Sequence, residues 1–193
     1  MRMRSLIAIC FLLALVCSAL VPAQSGAGSR DDTSSILRAA NAEMGRLATK
    51  LAGDWNSTET MERGSIFPRG GSRTGRVHVT LASGGYSLLY EVHSDGTAGK
   101  LDGFHVIWWD QKAQLYRFFS CFNDANDVCV DRGTANWKGE AFVNDYYVDV
   151  SGKRIPGRDT FTFTPKTHTL VAAMQPEGSG KMTTLITTRA TRQ

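Results

Sequence analysis

A chain of 193 residues, 42% of them apolar, is long enough to bury one core and too short for several, so a single folded domain is the expectation. Its 22 basic and 18 acidic residues give a net charge of +4, with the basic residues scattered along the sequence. With no dense basic block, a nucleic-acid partner is excluded as the main function.

At the N-terminus, Arg2 and Arg4 precede an uncharged apolar stretch from Leu6 to Leu20, and Val21-Pro22-Ala23 offers small residues for cleavage. This is the layout of a secretory signal peptide over residues 1–23, which predicts an exported, periplasmic or extracellular protein. The apolar stretch of about fifteen residues falls short of the roughly 20 that cross a bilayer, so no membrane span is expected after removal. Loss of the two arginines lowers the basic count from 22 to 20 and the net charge to +2. Cys10 and Cys17 leave with this segment, and Cys121 and Cys129 remain.

Residues 24–32 are small, polar and Gly/Ser-containing, the composition of a flexible leader. The domain is expected over 33–193. Thr33 or Ser34 suits a helix N-cap, with Asp31 and Asp32 near the positive end of the dipole. Ile36, Ala40, Met44, Leu47 and Leu51 then recur at helical spacing until Gly53. Such a stripe predicts one helix that plugs or braces the rest of the domain.

Beyond Gly53 the pattern changes to alternation. Strands are expected near Asp54–Glu62, Arg73–Ala82, Tyr86–His93, Gly103–Asp110, Leu115–Phe122, Val128–Trp137, Ala141–Val150, Asp159–Thr164, Thr169–Gln175 and Met182–Arg189. Turn residues such as Ser83-Gly84-Gly85 and Lys138-Gly139-Glu140 link them, and no helical pattern intervenes. The reading is all-β: an antiparallel up-and-down barrel of about ten strands preceded by one helix. A hairpin centred on Ala125 places Cys121 opposite Cys129, so in an oxidising compartment a disulfide is the default. Closing so short a loop contributes roughly 2.5 kcal/mol on the chain-entropy model.

Alternation separates faces without saying which one points inward. Tyr86, Leu88, Tyr90 and Val92 share a face, and Phe161 and Phe163 oppose Thr160, Thr162 and Thr164. Phe104, Val106 and Trp108 sit back to back with His105, Ile107 and Trp109, which predicts a strand covered on both sides, one of them by the helix.

Reaction chemistry finds little support. His78, His93, His105 and His168 lack the spacing of a zinc motif, so no metal is expected. Gly178-Ser179-Gly180-Lys181 is followed by Met182 and lies between strands, which makes it a hairpin turn and not a phosphate loop. Gly70-Gly71-Ser72 lacks the second glycine of a nucleophile elbow. The oxygen-rich run Asn123 to Asp127 reads as a turn, and the sequon Asn56-Ser57-Thr58 falls within a strand. No catalytic residue is assigned; Glu91 and His93, two apart on one face with Tyr90 between them, are the pair an enzymatic reading would use.

Leu51-Ala52-Gly53-Asp54-Trp55, a Gly-x-Trp at the mouth of the first strand, resembles the opening signature of lipocalins and other calycins. The resemblance implies a basic residue from the last strand packed over Trp55, and Arg189 is the expected partner. Together with Trp109-Asp110 and Arg158-Asp159-Thr160-Phe161-Thr162-Phe163, the chain resembles a family of exported bacterial proteins known as Domain of Unknown Function 1579. Some related ten-stranded barrels hold haem through one histidine on a late strand, so the resemblance makes His168 the haem position to test; no other cofactor is expected.

The resulting expectation is a non-enzymatic barrel holding a small apolar or amphipathic molecule. Expected lining residues are Tyr86, Leu88, Tyr90, Phe104, Trp108, Phe119, Tyr147 and Phe163, with Arg117 as the polar contact. The alternatives are a haem-binding or enzymatic barrel, or an envelope interaction module with a filled core. The pattern sets no oligomeric state.

Overall fold

Gly53 is the residue at which helix becomes sheet. Its φ of +127° is open to glycine and strained for any side chain, and a Cβ there would also press on the Arg192 guanidinium at 3.1 Å. The structure, a computed structural model, describes residues 29–64, 67–123, 129–150, 152–176 and 178–193.

Helix α1 (Ser29–Leu51) begins ahead of the Thr33 or Ser34 cap, so Asp31 and Asp32 fall within its first turn. Ten strands follow: β1 (Gly53–Met61), β2 (Gly71–Ala82), β3 (Ser87–Gly96), β4 (Leu101–Asp110), β5 (Leu115–Phe122), β6 (Cys129–Lys138), β7 (Ala141–Val150), β8 (Lys153–Phe163), β9 (Thr167–Met174) and β10 (Thr183–Arg192). All neighbours are antiparallel, each strand pairs with its predecessor, and β1 pairs with β10 to close the barrel. Closure removes the exposed edges that an open sheet would present.

The seam between first and last strands runs from Trp55 opposite Arg192 to Met61 opposite Ile186. Backbone bonds extend it at both ends, Gln193 N–H to Asp54 O at 3.0 Å and Glu62 N–H to Leu185 O at 2.8 Å. Two irregularities bend the wall. On β6 two residues oppose Phe118 of β5, with Gly133 at φ +90°, and on β10 Leu185 is left out of the register with β9. β8 starts six residues before its expected beginning, because Pro156 reads as a breaker. Its carbonyl nevertheless accepts Gln175 N–H at 3.0 Å, so the strand runs through it.

Cys121 and Cys129 are cross-strand partners of β5 and β6 at disulfide distance, with Cα atoms 4.0 Å apart. The turn residues 124–127, which include most of the oxygen-rich run, lie outside the described residues.

One end of the barrel is closed by α1. Met44, Leu47 and Leu51 are fully buried in the same apolar cluster as Trp55, Leu88, Ile107, Tyr116, Phe118, Phe142 and Phe161. Polar contacts fix the helix to that end: Trp55 Nε1–H donates to Leu51 O at 2.8 Å, the Tyr116 hydroxyl lies 2.8 Å from Glu43 Oε2 and 3.0 Å from Glu43 O, and Arg46 lies 4.4 Å over the Trp137 ring. The helix therefore does not cover the outer face of β4 as the sequence predicts. Trp108, on that outer face, stays 38% exposed.

Candidate functional site

The interior divides along the barrel axis. Towards α1 it is aromatic and closely packed: Tyr116 meets Phe142 edge to face at 4.9 Å, and Phe161 stacks on Phe163 at 6.5 Å. In the half farther from α1, polar side chains replace the aromatics on the same inward pleat. On β1, Ser57 and Glu59 follow Trp55 in step, and all three are buried. Arg73 precedes Val77 and Val79 in step on β2. Ser94 extends the inward series Leu88, Tyr90 and Val92 on β3.

These strands place Glu59 directly opposite Arg73, with Oε2 and Nη1 3.7 Å apart and both side chains under 10% exposed. A buried charge pair of this kind is retained only where further groups solvate it. Ser57 and Ser94 flank the pair, one on each side of Gly75. Their hydroxyl oxygens are buried without a hydrogen-bond partner. Farther round the wall, His105 Nδ1 and Ser120 Oγ stand 2.6 Å apart, and Tyr146 O–H donates to Asp159 Oδ1 at 2.9 Å.

Tyr90 and His168 join the two halves. Tyr90 Oη lies 3.2 Å from His168 Nε2, and both residues are buried. Burial, reinforced by the negative charge of Glu59, pushes the Tyr90 phenol well above its usual range. Burial first, and then the positive charge of Arg192, hold the His168 imidazolium down at about 4, so at neutral pH the ring is uncharged. Its Nδ1 has no partner.

Of the residues expected to line the interior, Leu88, Tyr90 and Phe163 face inward. Five do not. Phe104 and Trp108 alternate with inward His105, Ile107 and Trp109; Arg117 and Phe119 alternate with Tyr116, Phe118 and Ser120; Tyr147 is 55% exposed beneath Arg154. Arg117 donates to Asp110 at 3.1 Å on the outer face and is not an interior contact. For the four on β4 and β5 the reason is common: these strands carry large apolar residues on both faces, so alternation alone cannot orient them. Tyr86 precedes β3 in an αR conformation and stands outside the ladder.

The cation over Trp55 is Arg192, at 4.3 Å from the ring centroid, and not Arg189. Arg192 is the cross-strand partner of Trp55, whereas Arg189 pairs with Thr58 and points outward. His93 bonds Asp102 at 2.9 Å on the outer face, which leaves no Glu91–His93 couple, and His78 bonds Asp54 at 2.6 Å. Among the described residues no group of three His, Cys, Asp or Glu side chains could hold a metal ion. Haem ligation through His168 would need the Tyr90 contact broken and a ring displaced, since Trp55 packs edge-on against the imidazole at 4.6 Å; this enclosure does not fit a porphyrin.

Glu59, Arg73, Ser57 and Ser94 are the site residues missed from sequence. The available signal was their step: each shares the pleat phase of a buried apolar neighbour on its own strand.

The fold and interior define a closed ten-stranded antiparallel barrel, plugged at one end by a helix and polar inside at the other. No protein-family model and no curated protein matches the chain. No helix among the described residues is long and apolar enough to cross a membrane.

Proposed function

We propose that this protein is an exported, lipocalin-like barrel of the Domain of Unknown Function 1579 type. It binds a small amphipathic molecule inside the barrel and carries out no chemistry on it. The observation that carries this reading is the pair of buried, unpartnered hydroxyls of Ser57 and Ser94 beside the Glu59–Arg73 pair. A buried polar group without a partner costs about 1–3 kcal/mol, and a purely structural core would have apolar residues there. A ligand with its polar end at Ser57 and Ser94 and its apolar end towards Tyr90, Val92 and Phe122 satisfies both halves of the wall. The apolar-only carrier is the weaker version, because it would leave those hydroxyls unmet. Export is supported by the leader-like Met1–Ala23 segment and by the Cys121–Cys129 pair.

The test is native mass spectrometry of protein purified from its own host, with S57A/S94A alongside. Wild-type protein should carry a co-purified small mass that is depleted in the variant, while the variant stays folded. Wild type that arrives empty and takes up no fluorescent amphiphile would refute the carrier reading in favour of an interaction module with a filled core.

A further inference from the structure

Arg189, displaced by Arg192 from the role the sequence suggested, opens on the outer wall into a hollow of about 460 Å³. The hollow spans β10, β1 and β2. Its walls are two cross-strand rows, Arg189–Thr58–Thr74 and Thr191–Asn56–Arg76, and its floor is the backbone at Ser57 and Gly75. The Ser57 side chain points into the barrel, so this hollow is separate from the interior site.

Its chemistry is one-sided. Two guanidiniums line it and no carboxylate does. Among the described residues no ion pair joins Arg76 or Arg189 to an acid; of the three acids diagonal to Arg76 in the register, Asp54 bonds His78, Asp95 bonds the Gly96 N–H, and Glu91, on β3, stands outside the lining of the hollow. The rest of the rim is neutral and rich in hydroxyls, with Thr58, Thr74 and Thr191 exposed and Asn56 receiving a bond from Gln193 at 3.2 Å. Two arginines lining one hollow suit an oxyanion, which guanidinium groups grip through paired N–H donors. The threonine hydroxyls and the Asn56 amide suit a polyhydroxylated body attached to it.

We infer that this outer hollow is a second binding site, specific for a phosphorylated sugar, with Arg76 and Arg189 holding the phosphate and the Thr58, Thr74, Thr191 and Asn56 side chains reading the hydroxyls. The contact is exposed and weakens with salt.

The test is an amide-resolved NMR titration of the exported chain at low ionic strength, using glucose 6-phosphate, inorganic phosphate and glucose as probes. Glucose 6-phosphate should shift the amides of Asn56–Thr58, Thr74–Arg76 and Arg189–Thr191, phosphate should shift the same set more weakly, and glucose should not. R76Q/R189Q should lower the affinity for glucose 6-phosphate by at least about tenfold, whereas K112Q/K166Q, which removes the same charge elsewhere on the surface, should leave it within about twofold. Equal losses in the two double variants would reduce the effect to general electrostatics and overturn the site. Phosphate binding as tightly as glucose 6-phosphate would overturn the sugar specificity, and unshifted amides in wild type would overturn the proposal entirely. The variants are exposed and outside the core, so an unchanged thermal melt verifies that both remain folded.

Discussion

His168 shows how a single buried side chain makes the whole fold sensitive to pH. Its imidazole is fully enclosed and its folded-state pKa of about 4 lies below the ordinary 6.5. Above pH 6.5 the ring is neutral in both states and costs nothing. As pH falls from 6.5 to about 4 the unfolded chain takes up a proton that the folded protein refuses, so stability drops across this window and levels off below it. The shift from 6.5 to about 4 corresponds to a loss of about 3 kcal/mol. Urea unfolding of wild type and H168Q at pH 7 and pH 4.5 measures it. The difference in stability between the two pH values should be smaller in H168Q by about 2–3 kcal/mol, and an identical pH dependence would remove His168 as the cause. Single residues also mark where the sequence was readable. Phe161 and Phe163 stand apart from the threonines of the opposite face, and Tyr90 from Leu89 and Glu91, while the direction of each face comes only from the closed sheet. Glu59 and Arg73 were unreadable because a charged residue is read as solvent-facing unless its partner across the hairpin is considered at the same time.

Among the elements, the hairpin of β5 and β6 combines a bulge at Gly133 with a covalent link between Cys121 and Cys129, so the link lies close to the least regular pairing in the wall. Replacing both cysteines by serine should lower stability by about 2–3 kcal/mol, measured by urea denaturation under non-reducing conditions. Dithiothreitol should lower the wild type by a similar amount and leave the variant unchanged. An unaltered midpoint in C121S/C129S would show that the bulged hairpin is held by its ladder and aromatic packing alone. Strand existence was legible almost everywhere, because alternation and turn residues are local signals. Strand orientation on β4 and β5 was not, because Phe104 and Phe119 outside are as apolar as Ile107 and Phe118 inside. The position of α1 was half legible: its stripe identifies the buried face, while the Tyr116 and Trp137 contacts that fix it to the barrel end come from strands distant in sequence.

At the scale of the whole molecule, nine of the ten ladders join strands adjacent in sequence, and one joins β1 to β10 across most of the chain. That closing ladder sets the cost of shortening the protein. A chain ending at Lys181 lacks β10 and the Arg192 contact over Trp55, and it leaves one edge each of β1 and β9 unpaired. Such a chain should elute as oligomers or aggregate in size-exclusion chromatography and lose its cooperative melt. A monomeric product with a sharp transition would mean that a nine-stranded wall is self-sufficient.

The same seam bears on how the molecule comes into being. A ribosome delivers β1 well before β10, so the entire wall must be held in waiting until Thr183–Arg192 emerges. No intermediate length is a finished product. The aromatic core, the polar half of the interior and the plug acquire their enclosure in one event, and a chain interrupted before β10 is an adhesive ribbon with two bare margins instead of a nearly complete barrel.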